Sequence, residues 1–109
     1  MTSFLPAFDG SNIWVPNYFS NSLSVVRASN GAVLATLTGN GLIGPLQAAF
    51  DGQRILVTSF DIDSVSLWKA ADLTAIGNVS TGVSSGPTGV CSDGINFWVT
   101  LRGNQLARF

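Results

Sequence analysis

The chain has 109 residues, of which 46% are hydrophobic and only 10% charged. That is ample core for one small domain and excludes a disordered chain, yet so little charge means that protein must cover an unusual share of the surface, some of it supplied by a partner. Five basic and six acidic residues, scattered singly to a net charge of −1, give no stripe for nucleic acid and no patch for a membrane, and no apolar run reaches the roughly 20 residues of a bilayer span.

In chain order, Leu5 to Phe8 reads as a first strand ending at Asp9-Gly10, whose glycine suits the positive φ of a tight hairpin. Asn12 to Pro16, Ser22 to Arg27 and Ala32 to Leu37 follow as second, third and fourth strands, each bounded by turn residues. From Gly44-Pro45 the pattern begins again, with Leu46 to Phe50, Asp51-Gly52, Arg54 to Ser59, Ser64 to Lys69 and Thr74 to Val79. After Gly86-Pro87 it begins a third time, with Gly89 to Cys91, Asp93-Gly94, Asn96 to Leu101 and Gln105 to Phe109, and no fourth strand follows. Asp-Gly at 9, 51 and 93 marks a constant step of 42 residues, and an apolar triplet follows each pair after two variable residues. The repeats run 3–44, 45–86 and 87–109 within a single unit of 1–109, with one residue deleted in the last loop to bring Leu106 into line with Leu23 and Val65.

A step of this length filled with short strands and turns is the pattern of β-propeller blades, four-stranded antiparallel sheets arranged around an axis. No stretch of ten residues lacks a Gly, Pro, Asn, Asp or Ser, so an all-β chain is expected. The second strands are apolar without alternation, as in a sheet covered on both faces, and Trp14 and Trp98 are expected to fill the space between blades. The chain holds about 2.6 repeats, whereas a propeller must close into a ring. Closure is expected either within a longer propeller or by head-to-tail assembly of copies, a dimer before a trimer, with Met1 to Phe4 the spare segment available to the edge at Phe109.

The strings Ala7-Phe8-Asp9-Gly10-Ser11-Asn12-Ile13-Trp14-Val15, Asn21-Ser22-Leu23-Ser24-Val25-Val26-Arg27 and Val33-Leu34-Ala35-Thr36-Leu37 resemble the YVTN-type propeller repeat, close in pattern to NHL repeats. The resemblance covers essentially the whole chain and implies the propeller fold, while such propellers serve as scaffolds, binding platforms and sometimes enzymes. The repeat is also similar to that of streptogramin lyase-type propellers, whose reaction in that family depends on histidines and magnesium. This chain has no histidine, so no catalytic position carries over.

The inventory for chemistry is thin: no histidine, one cysteine (Cys91) and one lysine (Lys69). No catalytic, cofactor or metal site is expected, and a non-enzymatic interaction scaffold is the leading reading. Asp61 and Asp63 stand two apart in a loop but lack the frame of a calcium loop, and are expected to shape their hairpin. Tyr18, Phe19, Phe60 and Arg102 occupy equivalent loops that differ between repeats, and are the candidate contacts for a protein or glycan ligand. A lectin-like oligomer, or a fragment of a larger lyase-type propeller, are the alternatives. Asn78-Val79-Ser80 matches a glycosylation sequon of the kind that arises by chance in a chain this rich in Ser and Asn, and leaves the compartment open.

Overall fold

A computed structural model describes residues 5–109. Met1 to Phe4, including the first residues of the first repeat and the segment considered for edge closure, lie outside the described residues. Three antiparallel sheets follow one another along the chain. The first contains β1 (Ala7–Phe8), β2 (Asn12–Asn17), β3 (Ser22–Arg27) and β4 (Val33–Leu37) in that order. The second contains β5 (Pro45–Phe50), β6 (Arg54–Ser59), β7 (Ser64–Lys69) and β8 (Thr74–Ser80), and the third β9 (Val90–Ser92), β10 (Phe97–Leu101) and β11 (Gln105–Arg108). These are β-propeller blades of up-and-down strands, and the third has three strands among the described residues.

The repeat extends to irregularities. The register between third and fourth strands shifts at Val25/Val26 and again at Leu67/Trp68, two bulges one repeat apart. One short 3-10 turn, Phe60–Ile62, interrupts the loop between β6 and β7. The first strand is shorter than the expected Leu5 to Phe8 because Pro6 has no N–H to give the ladder. Leu5 instead crosses to the next blade as a parallel bridge to Gln47, donating to the Leu46 carbonyl at 3.2 Å and accepting from Ala48 N–H at 2.9 Å.

Two cores fill the spaces between blades. In the first, Trp14, Leu23 and Val25 pack against Ile55, Val57 and Trp68. In the second, Leu56, Val65 and Leu67 of the middle blade meet Phe97 and Val99. Successive residues of β6 therefore feed opposite cores, which is why the middle blade tolerates no polar alternation: Ile55 to Ser59 are all buried. Among the described residues the flanking blades are covered on one face, so β2 buries only Trp14 and Pro16 and β10 only Phe97 and Val99, unlike the uniform burial their apolar sequences suggest.

Candidate functional site

The Asp-Gly turns close one rim of the blades, and their geometry is nearly identical in all three. Asp9 Oδ1 accepts the backbone N–H groups of Ser11 at 2.9 Å and Asn12 at 2.7 Å. Asp51 does the same for Gln53 and Arg54 at 2.9 and 2.6 Å, and Asp93 for Ile95 and Asn96 at 2.9 and 2.7 Å. Gly10, Gly52 and Gly94 supply the left-handed φ of 97°, 104° and 93° that lets the chain turn under the carboxylate. The second oxygen is a tether: Asp9 Oδ2 accepts the Trp14 indole N–H and Asp93 Oδ2 that of Trp98, each at 2.9 Å. In the middle blade Leu56 holds the tryptophan column, and Arg54 Nε takes over as donor to Asp51 at 2.8 Å. Arg54 also stacks over the Phe97 ring, 5.1 Å from its centre, and so links the second and third blades.

These donors set the acidity of the carboxylates. Burial pushes Asp9 upward, but the Asn12 N–H, the Trp14 indole and the Ser11 N–H outweigh it and hold the group below its ordinary value. Asp51 follows the same balance, with burial opposed by Arg54 and Gln53 N–H groups and the Arg54 side chain. At Asp93 the Asn96 N–H, the Trp98 indole and the Ile95 N–H bring the pKa down to about 2.

The opposite rim carries the linkers between blades. Asn21 and Asp63, one repeat apart, adopt left-handed φ of 51° and 52° and turn their side chains toward the following linker. Asn21 Oδ1 accepts Gly44 N–H at 2.9 Å, while Asp63 accepts Gly86 N–H at 3.0 Å and Ser84 N–H at 2.9 Å. A Cβ on Gly44 would stand 2.6 Å from Asp61 Cγ, so the Asp61 side chain would have to shift, and one on Gly86 would meet the movable Arg102 guanidinium at 3.0 Å; at both positions the left-handed φ favours glycine. Asp63 thus binds the following linker backbone as well as shaping its own hairpin, and Asp61 accepts the Tyr18 hydroxyl at 2.9 and 2.8 Å from the preceding blade.

The four loop residues singled out from the sequence all lie on this linker rim, but in successive blade junctions. Tyr18 reaches Asp61, and that hydrogen bond to the carboxylate raises the phenol pKa. Phe60 supports Arg102 of the third blade, with the guanidinium 5.4 Å from the ring centre. Phe19 meets Tyr18 edge to face at 5.1 Å and is otherwise open, 83% exposed. Of the two tryptophans expected to fill the space between blades, Trp14 is fully buried and Trp98 half-buried on the outward face of the third blade.

A surface that the sequence reading did not single out lies on the Asp-Gly rim. An open groove of about 860 Å³ runs between the first two blades, floored by Phe50 and Ile76 and edged by Ser11, Gln53, Arg54 and Lys69. Apart from Lys69, its polar edge comes from the variable residues after the first two Asp-Gly pairs, and that variability within a fixed turn was the signal available. Among the described residues no three of His, Cys, Asp and Glu gather closely enough to hold a metal ion.

No family model matches the chain, and no curated protein matches it significantly in sequence. Solved propellers match it in fold. Hydrazine synthase of Kuenenia stuttgartiensis superposes with a TM-score of 0.79 at 24% identity over 93% of this chain and 29% of its own. Virginiamycin B lyase of Staphylococcus aureus with quinupristin gives 0.74 at 15% identity over 89% and 33%, and the WD40 repeats of RRP9 give 0.75 at 17% over 96% and 36%. The chain spans about a third of the length of the solved structures it matches. At these identities the likeness is one of fold, and it is shared by enzymes and WD40 repeat proteins alike.

Proposed function

We propose that this chain is a YVTN/NHL-type blade module that acts as a non-catalytic interaction scaffold and closes its propeller with a second copy of itself. One observation supports the non-catalytic reading above others: all six acidic side chains already serve the architecture. Asp9, Asp51 and Asp93 hold the hairpin turns, Asp61 and Asp63 tie adjacent blades together, and Asp72 accepts from Thr74. The chain has no histidine, and every carboxylate is already a structural acceptor. Three blades per chain favour the dimer, because two copies supply six blades, within the usual four to eight, whereas three copies supply nine.

The binding platform is the groove of the Asp-Gly rim, whose apolar floor and Lys69 edge suit an extended acidic peptide. A peptide-display selection and a glycan array on the same assembled sample test this. The scaffold reading expects acidic peptides whose binding falls at least tenfold in Lys69→Glu. Specific glycan binding without peptide selection would replace it with the lectin-like alternative.

A further inference from the structure

The two interior seams between blades obey one rule of columns. Trp14, Leu23 and Val25 of the first blade become Leu56, Val65 and Leu67 in the second, and each set faces forward into the next blade. Ile55 and Val57 of the second blade become Phe97 and Val99 in the third, and each pair faces backward. The same columns exist on the two faces that no blade of the described residues covers. Backward from the first blade stand Ile13 and Val15, half-buried, beside Phe8, which is 58% exposed. Forward from the third stand Trp98, half-buried, and Leu106, 58% exposed. Each open face carries the half of a seam that the other lacks.

We infer that these faces join in a third seam, in which the forward face of one copy's last blade receives the backward face of a second copy's first blade. This rests on the ring reading above and names its contact. Such a head-to-tail joint uses two different patches, and it closes when both copies make it reciprocally. The linker rim supplies a polar clasp. At each interior junction a residue of the Tyr18 column reaches the following blade: Tyr18 bonds Asp61, and Phe60 stacks with Arg102. In the third seam Arg102 is the forward member, and the residues in the receiving columns are Tyr18 and Phe19 of the second copy, so the clasp is a cation on an aromatic pair. Asn104 shares the left-handed backbone of Asn21 and Asp63, with φ of 61°. Arg108 departs from the rule, standing in the column of Val25 and Leu67, but it is exposed, and a long side chain of this kind can lay its stem on apolar surface while its charge stays in water.

Blocking one face at a time tests the seam. Phe8→Arg spoils only the backward face and Leu106→Arg only the forward one, and both sites are exposed enough for the fold to accept the charge. Circular dichroism and cooperative unfolding establish that each variant is folded. By light scattering, each variant alone runs at the chain mass, and an equimolar mixture, which retains one intact forward and one intact backward face, runs at twice that mass. Phe19→Ala weakens the wild-type dimer by about threefold for each seam. If Leu106→Arg remains dimeric while Phe8→Arg does not, the contact is backward face on backward face and the seam is overturned. If both variants keep the wild-type dimer mass, the seam is again wrong although the ring reading survives. A wild-type chain that is monomeric overturns the ring reading itself.

Discussion

Replacing Asp9 with asparagine separates the two jobs of the repeat carboxylate. Asparagine keeps an oxygen for the Ser11 and Asn12 N–H groups, now at 2.9 and 2.7 Å, but puts an NH₂ where Oδ2 accepted the Trp14 indole. Two donors then face each other, and the indole N–H of a fully buried tryptophan is left unpaired. An orphaned buried donor costs about 1–3 kcal/mol, and because Asp9 itself is partly solvated the lower half of that range applies, about 1–2 kcal/mol. Asp9→Ala loses the two turn bonds as well and costs about 2–4 kcal/mol. For a chain of this size each kcal/mol moves the melting temperature by about 4 °C. Thermal and urea unfolding at one fixed protomer concentration, followed by the fluorescence of the remaining tryptophans, measures both variants. The decisive control is Trp14→Phe, which removes the indole donor: in that background Asp9→Asn is expected to be nearly silent, a coupling of about 1–2 kcal/mol. An equal cost in both backgrounds would refute the tether and leave only the turn.

The same carboxylates predict the acid limb of stability. Asp9, Asp51 and Asp93 are all held below the ordinary value of 3.8, so their contribution is complete above pH 4 and is lost as pH falls toward the value near 2 at Asp93. Urea midpoints measured from pH 6 to pH 2 should fall within that window, and Asp93→Asn should flatten the lower part of the fall; an unchanged profile would show that Asp93 is not depressed. Gly44→Ala forces a side chain into φ +64° and places its Cβ 2.6 Å from Asp61 Cγ, and is expected to cost about 1–2 kcal/mol from backbone strain, measured by urea unfolding. It should also return the Tyr18 phenol toward its ordinary pKa, read by ultraviolet titration. Ser59 and Ser66 are both buried, but only Ser66 has a partner, donating to the Asn40 carbonyl at 2.8 Å. Ser66→Ala should therefore cost about 1 kcal/mol while Ser59→Ala is neutral or slightly stabilising; the reverse order in denaturation would contradict the assignment.

Much of the fold was legible because each element carried its own signal. Asp9-Gly10 and its two repeats set the hairpins, and the apolar triplets after them set the strands that feed the cores. The shortened β1 was less visible, since whether Leu5 bonds its own sheet or the next is settled by tertiary approach and not by local preference. The partners of the acidic residues were also hidden. Asp61 and Asp63 looked like residues of a single hairpin, but their acceptors serve Tyr18 of the blade before and Gly86 of the linker after, contacts that only the stacking of blades creates. The groove escaped for the same reason: Ser11 and Lys69 are far apart in sequence and meet only across a blade junction. Conversely, Trp14 and Trp98 share a column and a tether, yet one is sealed and the other half open, because burial depends on whether a further blade lies in front.

The central claim is that a second copy of the chain completes the ring. The most direct test is the mass of the purified 109-residue particle in solution, measured by size-exclusion chromatography with light scattering over a range of concentrations. A closed six-bladed ring predicts a single species at twice the chain mass of 11.4 kDa. A soluble species at 11.4 kDa that unfolds cooperatively at every concentration would contradict it.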